Sequence, residues 1–250
     1  MIISHSKKFL FIKPRKTAGS SVELALSPLL QRGDLATPIA PIEEKLRRAE
    51  DGVKVELIRY TSLLFPRRLR DHSTLEKAVA CFGPSILGYF IISMTRNPWD
   101  RAVSQFFWTL RRSDIKHADF DDQKRAFIDY TQKWGRRSWI DPFYGRKRQR
   151  TAHATAQYCY QGKPSVDFFI RFEFLSQDMS TLGAKLGEPS LNVPENRLKS
   201  QHRNKLRPWW EFYDEPTKDM IASECSQEIQ MFGYEFSDKP PVHGPYMVRA

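Results

Sequence analysis

Cysteine is scarce in this chain: Cys81, Cys159 and Cys225 are the only ones in 250 residues. They stand far apart, and none forms a C-x-x-C pair or lies near a histidine at ligand spacing. A disulfide scaffold and a zinc ribbon are excluded, and a reduced, cytosolic chain is expected. Long apolar runs are missing too. No stretch approaches the roughly 18 residues that a membrane-spanning helix needs, and the first residues hold no apolar core of an export signal. Neither low-complexity tracts nor internal repeats occur. Acidic residues are outnumbered, 29 Asp and Glu against 40 Lys and Arg, for a formal net charge of +11. Such a surface suits nucleic acid, anionic membranes, polyanionic glycans or small phosphorylated and sulfated ligands, and the charge does not choose among them.

What is present begins with an apolar run, Phe9-Leu-Phe-Ile12, that breaks into Lys16-Thr-Ala-Gly-Ser-Ser21 and then turns amphipathic through Val22, Ala25, Leu26 and Leu29. This reads as strand, phosphate-cradling turn and helix. Tyr89 to Thr95 is a second buried strand, followed by Arg96-Asn-Pro98. Asn97 is a good N-cap, Pro98 fits the first helical position, and Trp99, Ala102, Val103, Phe106, Phe107 and Leu110 give a core-facing stripe. A third strand is expected over Val166 to Glu173, then a helix capped by Ser176 and closed by Gly187, and a last helix from about Pro216 to Phe232. With 40% hydrophobic residues, one α/β domain over residues 1–250 is expected, its central parallel sheet flanked by helices. Segments 34–70 and 111–150 read as insertions or substrate-covering segments. Ligands in such sheets bind at the carboxyl ends of the strands, where both special junctions lie.

The first junction is not a standard nucleotide-triphosphate loop, because its lysine precedes the glycine. The second carries Arg96 where a magnesium-dependent phosphoryl-transfer site places a metal-holding aspartate. Arginine suits a metal-free site for a dianionic phosphate, and Ser104 can donate to the same group. The competing reading of Arg96 is a helix-start clamp on Asp100.

Together, Lys16-Thr-Ala-Gly-Ser-Ser21 resembles the 5′-phosphosulfate loop of sulfotransferases, and Arg96-Asn-Pro-Trp-Asp-Arg-Ala-Val-Ser104 resembles their 3′-phosphate motif. The likeness extends to Asp71-His-Ser-Thr74, to Phe169–Leu175 and to Phe232–Phe236. It is nearest to the carbohydrate branch that includes the heparan 2-O-sulfotransferases and their soluble bacterial relatives. The resemblance implies a P-loop-like sulfotransferase fold. It also implies transfer of a sulfonate group from 3′-phosphoadenosine 5′-phosphosulfate to an acceptor hydroxyl, without a required metal. Lys16 would stabilise the departing phosphate, Thr17, Ala18, Gly19, Ser20 and Ser21 would cradle it, and Arg96 and Ser104 would hold the 3′-phosphate. Lys199 and Ser200, in the basic loop between Glu188 and Pro208, resemble a late loop that touches the same phosphate. His72 is the candidate base, with Glu173 next and His153 and His202 behind it.

The acceptor implied is a hydroxylated molecule, a saccharide or glycoconjugate, with no nucleic acid and no membrane span. One departure is visible: the family pattern has histidine, an apolar residue and proline before the lysine, whereas Lys13-Pro-Arg15 stands here. Two added cations at the mouth would favour an acidic acceptor. Two other readings remain at this point, a nucleotide-dependent kinase with an atypical phosphate loop and a nucleic-acid-binding protein without enzymatic activity.

Overall fold

The computed structural model describes residues 1–39, 41–48, 59–61, 66–111, 113–132, 154–193 and 207–237. In chain order the first elements are β1 (Ile2–Ser4), β2 (Phe9–Phe11), α1 (Gly19–Leu26), β3 (Leu35–Ala36), α2 (Pro41–Arg48), β4 (Arg59–Thr61), β5 (Pro66–Arg68), α3 (Leu75–Phe82) and β6 (Phe90–Thr95). Next come α4 (Pro98–Thr109), α5 (Phe120–Gln132), α6 (Thr155–Tyr158), β7 (Cys159–Tyr160), β8 (Lys163–Pro164), β9 (Phe168–Arg171) and α7 (Leu175–Leu186). The last are α8 (Glu215–Glu224) and α9 (Ser226–Phe232). The chain divides into two compact units: one holds the described residues within Met1–Thr95 and Thr155–Leu198, the other those within Arg96–Ala154 and Lys199–His243.

The first unit is α/β, built on a five-stranded sheet of order β3-β1-β2-β6-β9 with helices against it. The apolar runs β2, β6 and β9 are parallel, with Phe11 opposite Ile92 and Ile92 opposite Phe168. The sheet as a whole is mixed rather than parallel, which corrects the sequence reading. β1 runs antiparallel to both β2 and β3. The cause is local: only residues 5–8 separate β1 from β2, enough for a hairpin turn and far too few for a parallel crossover. Leu35 and Ala36, inside the segment read as an insertion, supply the neighbouring edge strand.

One face of this sheet presents Ile2, Phe9, Phe11, Ile92, Met94, Phe168 and Ile170, which pack with Val22 and Leu26 of α1 and Leu175, Met179 and Leu182 of α7. Full burial of each such side chain stabilises by about 1.5–3 kcal/mol. The alternate residues face the other way, where Phe169 meets Tyr158 of α6 edge-on at 4.9 Å. Both faces are therefore covered, which is why β2, β6 and β9 read as continuous apolar runs. Helix α7 starts one residue before Ser176, and its first turn is tied by Asp178, whose carboxylate accepts from the Arg171 main-chain amide and side chain.

The second unit is helical. Asn97 caps α4 by accepting from the amides of Trp99 and Asp100. Phe106, Phe127, Phe212 and Tyr213 form an edge-to-face aromatic core, with Phe127 of α5 fully buried. The helix expected from about Pro216 to Phe232 breaks at Cys225 into α8 and α9, and Asp214 caps α8. Arg101 of α4 pairs with Glu228 of α9 through both guanidinium nitrogens, at 2.5 and 2.6 Å, and both side chains are buried.

Candidate phosphate loop and its surroundings

At the end of β2 the chain is held against β6: the Ile12 amide donates to Ile92 O at 2.8 Å and Ser93 Oγ donates to Ile12 O at 3.2 Å. It then turns sharply into α1. Lys16 (φ 61°) and Ala18 (φ 67°) both occupy the left-handed region, where a side chain costs about 1 kcal/mol or more. Thr17 is buried between them and its hydroxyl donates to Pro14 O at 3.0 Å, closing the turn from inside. The N-cap of α1 is Ala18, which supplies no side-chain acceptor to the first amides. Such a start suits an external anion.

Two features here test whether a phosphate group fits. Ser21 Oγ is buried and has no hydrogen-bond partner among the described residues. An unmatched buried hydroxyl costs about 1–3 kcal/mol, so Ser21 is a donor for which the described residues supply no partner. Gly19 is the second. A Cβ built there would stand 2.1 Å from Lys13 Cγ and 2.6 Å from Lys13 Cδ. Glycine is required because the Lys13 stem lies across the helix start, a different reason from the close approach of a ligand.

Lys13 itself does not stand at the mouth. It is 2% exposed, and its Nζ donates to Glu23 Oε2 at 2.6 Å. The same fully buried carboxylate pairs with the Met1 amino group and, at 3.4 Å, with Arg47 Nη2. Burial alone would raise the Glu23 pKa, but the Met1 amino group, Lys13 and Arg47 together hold it down at about 2.

His72 lies beside this loop. Its Nδ1 is 2.9 Å from Lys13 O and its Nε2 is 3.2 Å from Asp71 Oδ2. Gln157 Nε2 donates to the His72 carbonyl at 3.1 Å. Burial pushes the His72 ring down to about 3; Asp71 opposes this, and Lys13 and Arg15 add to it. The ring is therefore uncharged at neutral pH. Lys16 and Ser20 are half-buried, and Glu173 follows β9 in a half-buried turn.

In the second unit, Arg96 is buried at the start of α4, with Nε 2.8 Å and Nη2 2.7 Å from Asp100 Oδ2. The helix-start clamp is thus formed, and it fixes the direction of the guanidinium. Ser104 is half-buried on the same helix. Lys199, Ser200, His153 and His202 lie outside the described residues.

Sequence reasoning missed Glu23 and the burial of Lys13. The available signal was a glutamate between Val22 and Leu24 of α1, ten positions after a lysine that directly follows the apolar run Phe9–Ile12. Comparison with family models, with curated proteins and with solved structures finds no match.

Proposed function

We propose that the chain is a sulfotransferase that moves a sulfonate group from 3′-phosphoadenosine 5′-phosphosulfate to a hydroxyl of a saccharide or glycoconjugate. The observation that carries this reading is the buried, unpartnered Ser21 hydroxyl at the start of α1, directly after a turn strained at Lys16 and Ala18. Strain and an unmatched donor at one loop are what a preorganised oxyanion cradle requires before its ligand arrives.

In this reading Ser21, Ser20 and the first amides of α1 bind the 5′-phosphosulfate, Gly19 and Ala18 shape the turn, and Thr17 braces it from within. Lys16 stabilises negative charge as the phosphate departs. The Asp71–His72 turn accepts the proton of the attacking hydroxyl. Arg96 and Ser104, and Lys199 and Ser200 after them, are assigned to the 3′-phosphate on the motif resemblance. The donor supplies the activated sulfonate, no metal is assigned a role, and the cytoplasm is the proposed compartment.

Titration calorimetry tests the reading. Adenosine 3′,5′-bisphosphate is expected to bind tightly and ATP weakly. Preference for ATP, or activity lost on chelation, would replace this reading with a kinase. Screening sulfate transfer from labelled donor onto glycans, lipids and small alcohols then identifies the acceptor class.

A further inference from the structure

The carbonyl oxygen of Lys13 can only accept a hydrogen bond, so the neutral His72 ring carries its proton on Nδ1, 2.9 Å away. The ring's lone pair then lies on Nε2, which stands 3.2 Å from Asp71 Oδ2. With the ring uncharged, Nε2 and the carboxylate are two acceptors at hydrogen-bond distance, so a proton delivered to the carboxylate can be shared between them. The pair is not symmetrical toward solvent: the Asp71 side chain is 41% exposed and that of His72 only 19%. The turn is also fixed. Gln157 holds the His72 carbonyl, and the Arg70 amide donates to Ser73 Oγ at 2.8 Å. Besides each other, the charged groups acting on the ring are Lys13 and Arg15, both cations.

We infer that Asp71 is the residue through which the acceptor's proton enters, to be shared with His72 Nε2 behind it. The inference rests on the sulfonate-transfer reading above. In the step, the acceptor oxygen forms its bond to sulfur. The bond from sulfur to the bridging oxygen of the 5′-phosphosulfate breaks, with its electron pair kept by that phosphate. The hydroxyl proton passes to the Asp71 carboxylate, so no further reactant is consumed. Asp71 is the group in contact with the acceptor, while His72, the Lys13 carbonyl and Gln157 are positioning groups. A neutral imidazole locked by its Nδ1 cannot take the proton directly without displacing Asp71.

The probe is 3′-phosphoadenosine 5′-phosphosulfate with water as acceptor, read as release of labelled sulfate. Calorimetric binding of adenosine 3′,5′-bisphosphate and nitrogen-15 NMR of the histidine ring accompany it. Asp71→Asn is expected to slow hydrolysis at least about a hundredfold, and His72→Gln by a similar factor. The double variant is expected to be no slower than either, because the two act as a unit. Bisphosphate affinity stays within about twofold, which also shows that the variants are folded. Asp71→Glu, which keeps the carboxylate, retains rate within about tenfold of wild type.

The His72 ring proton is expected on Nδ1, a readout that stands whether or not water is an adequate acceptor. Normal hydrolysis in Asp71→Asn, inactivity of His72→Gln alone, or a ring proton on Nε2 overturns the inference while the transfer reading survives. A wild type that binds no bisphosphate removes the transfer reading and this inference with it.

Discussion

Lys13 and Glu23 form a buried ion pair beneath the turn that leads into α1, and the stem of Lys13 crosses Gly19 on its way to the carboxylate. One side chain thus determines both the charge balance and the free volume at this helix start.

The steric half of that relationship predicts the effect of Gly19→Ala. The added methyl meets Lys13 Cγ at 2.1 Å, so the loss is expected near 2 kcal/mol, a typical cost of overpacking. In a Lys13→Ala background the contacts at 2.1 and 2.6 Å are gone and only the Cβ at position 13, at 3.3 Å, remains. Urea unfolding of both singles and the double should show a loss smaller than their sum; strict additivity would mean that the two residues do not touch.

The electrostatic half sets an acid limb. The Glu23 pKa is depressed from 4.5 to about 2, so its pairing contributes fully above about pH 4.5 and is lost as pH falls through 2. Its share is on the order of 3 kcal/mol. Glu23→Gln should therefore be less stable than wild type at pH 6, with the difference shrinking between pH 4.5 and 2. Parallel stability curves across that range would refute the assignment.

Ser21→Ala separates stability from binding. Removing a buried hydroxyl that has no partner within the described chain should leave the melting temperature unchanged or raise it, by up to about 1 kcal/mol of stability. The same variant should bind adenosine 3′,5′-bisphosphate roughly tenfold more weakly, the share of one hydrogen bond to a charged group. A destabilised variant with normal affinity would contradict both expectations.

Arg171 and Asp178 test the framework away from the loop. Both are buried, and Asp178 also holds the Arg171 amide at 2.8 Å. Asp178→Ala strands a charge and an amide, and a loss of about 3–5 kcal/mol is expected. Glu215→Ala removes only the exposed partner of Lys218 and should change stability by less than about 0.5 kcal/mol. Equal losses in the two variants would overturn the burial argument.

The elements legible in the sequence were those whose local and global preferences agree. β2, β6 and β9 lie within continuous apolar runs, and Asn97-Pro98 marks the start of α4 by a local side-chain cap. Strands of two or three residues carry no periodicity, so β1 and β3 were invisible and the sheet was expected to be purely parallel. A helix end set by a distant partner was equally hidden: Ser176 resembles a cap, yet Asp178 and Arg171 tie the first turn of α7. Within the candidate site, the backbone strain at Lys16 and Ala18 has no signature in residue type. Lys13 reads as a cation at the mouth because only the folded pairing with Glu23 makes its burial tolerable.

The hairpin of β1 and β2 closes over a few residues, whereas the pairing of β2 with β6 joins positions about eighty apart, such as Leu10 and Ile91. Chain closure on that scale is slow relative to a hairpin. Ile12, which leads into the turn, takes its hydrogen bond from the later pairing, through Ile92 O. The turn before α1 is therefore a late product of folding: in pulse-labelling during refolding, the Ile12 amide should gain protection together with β6 and after the hairpin amides. A chain still emerging from the ribosome can hold its first hairpin, but the turn into α1 has nothing to be held against until β6 has been made.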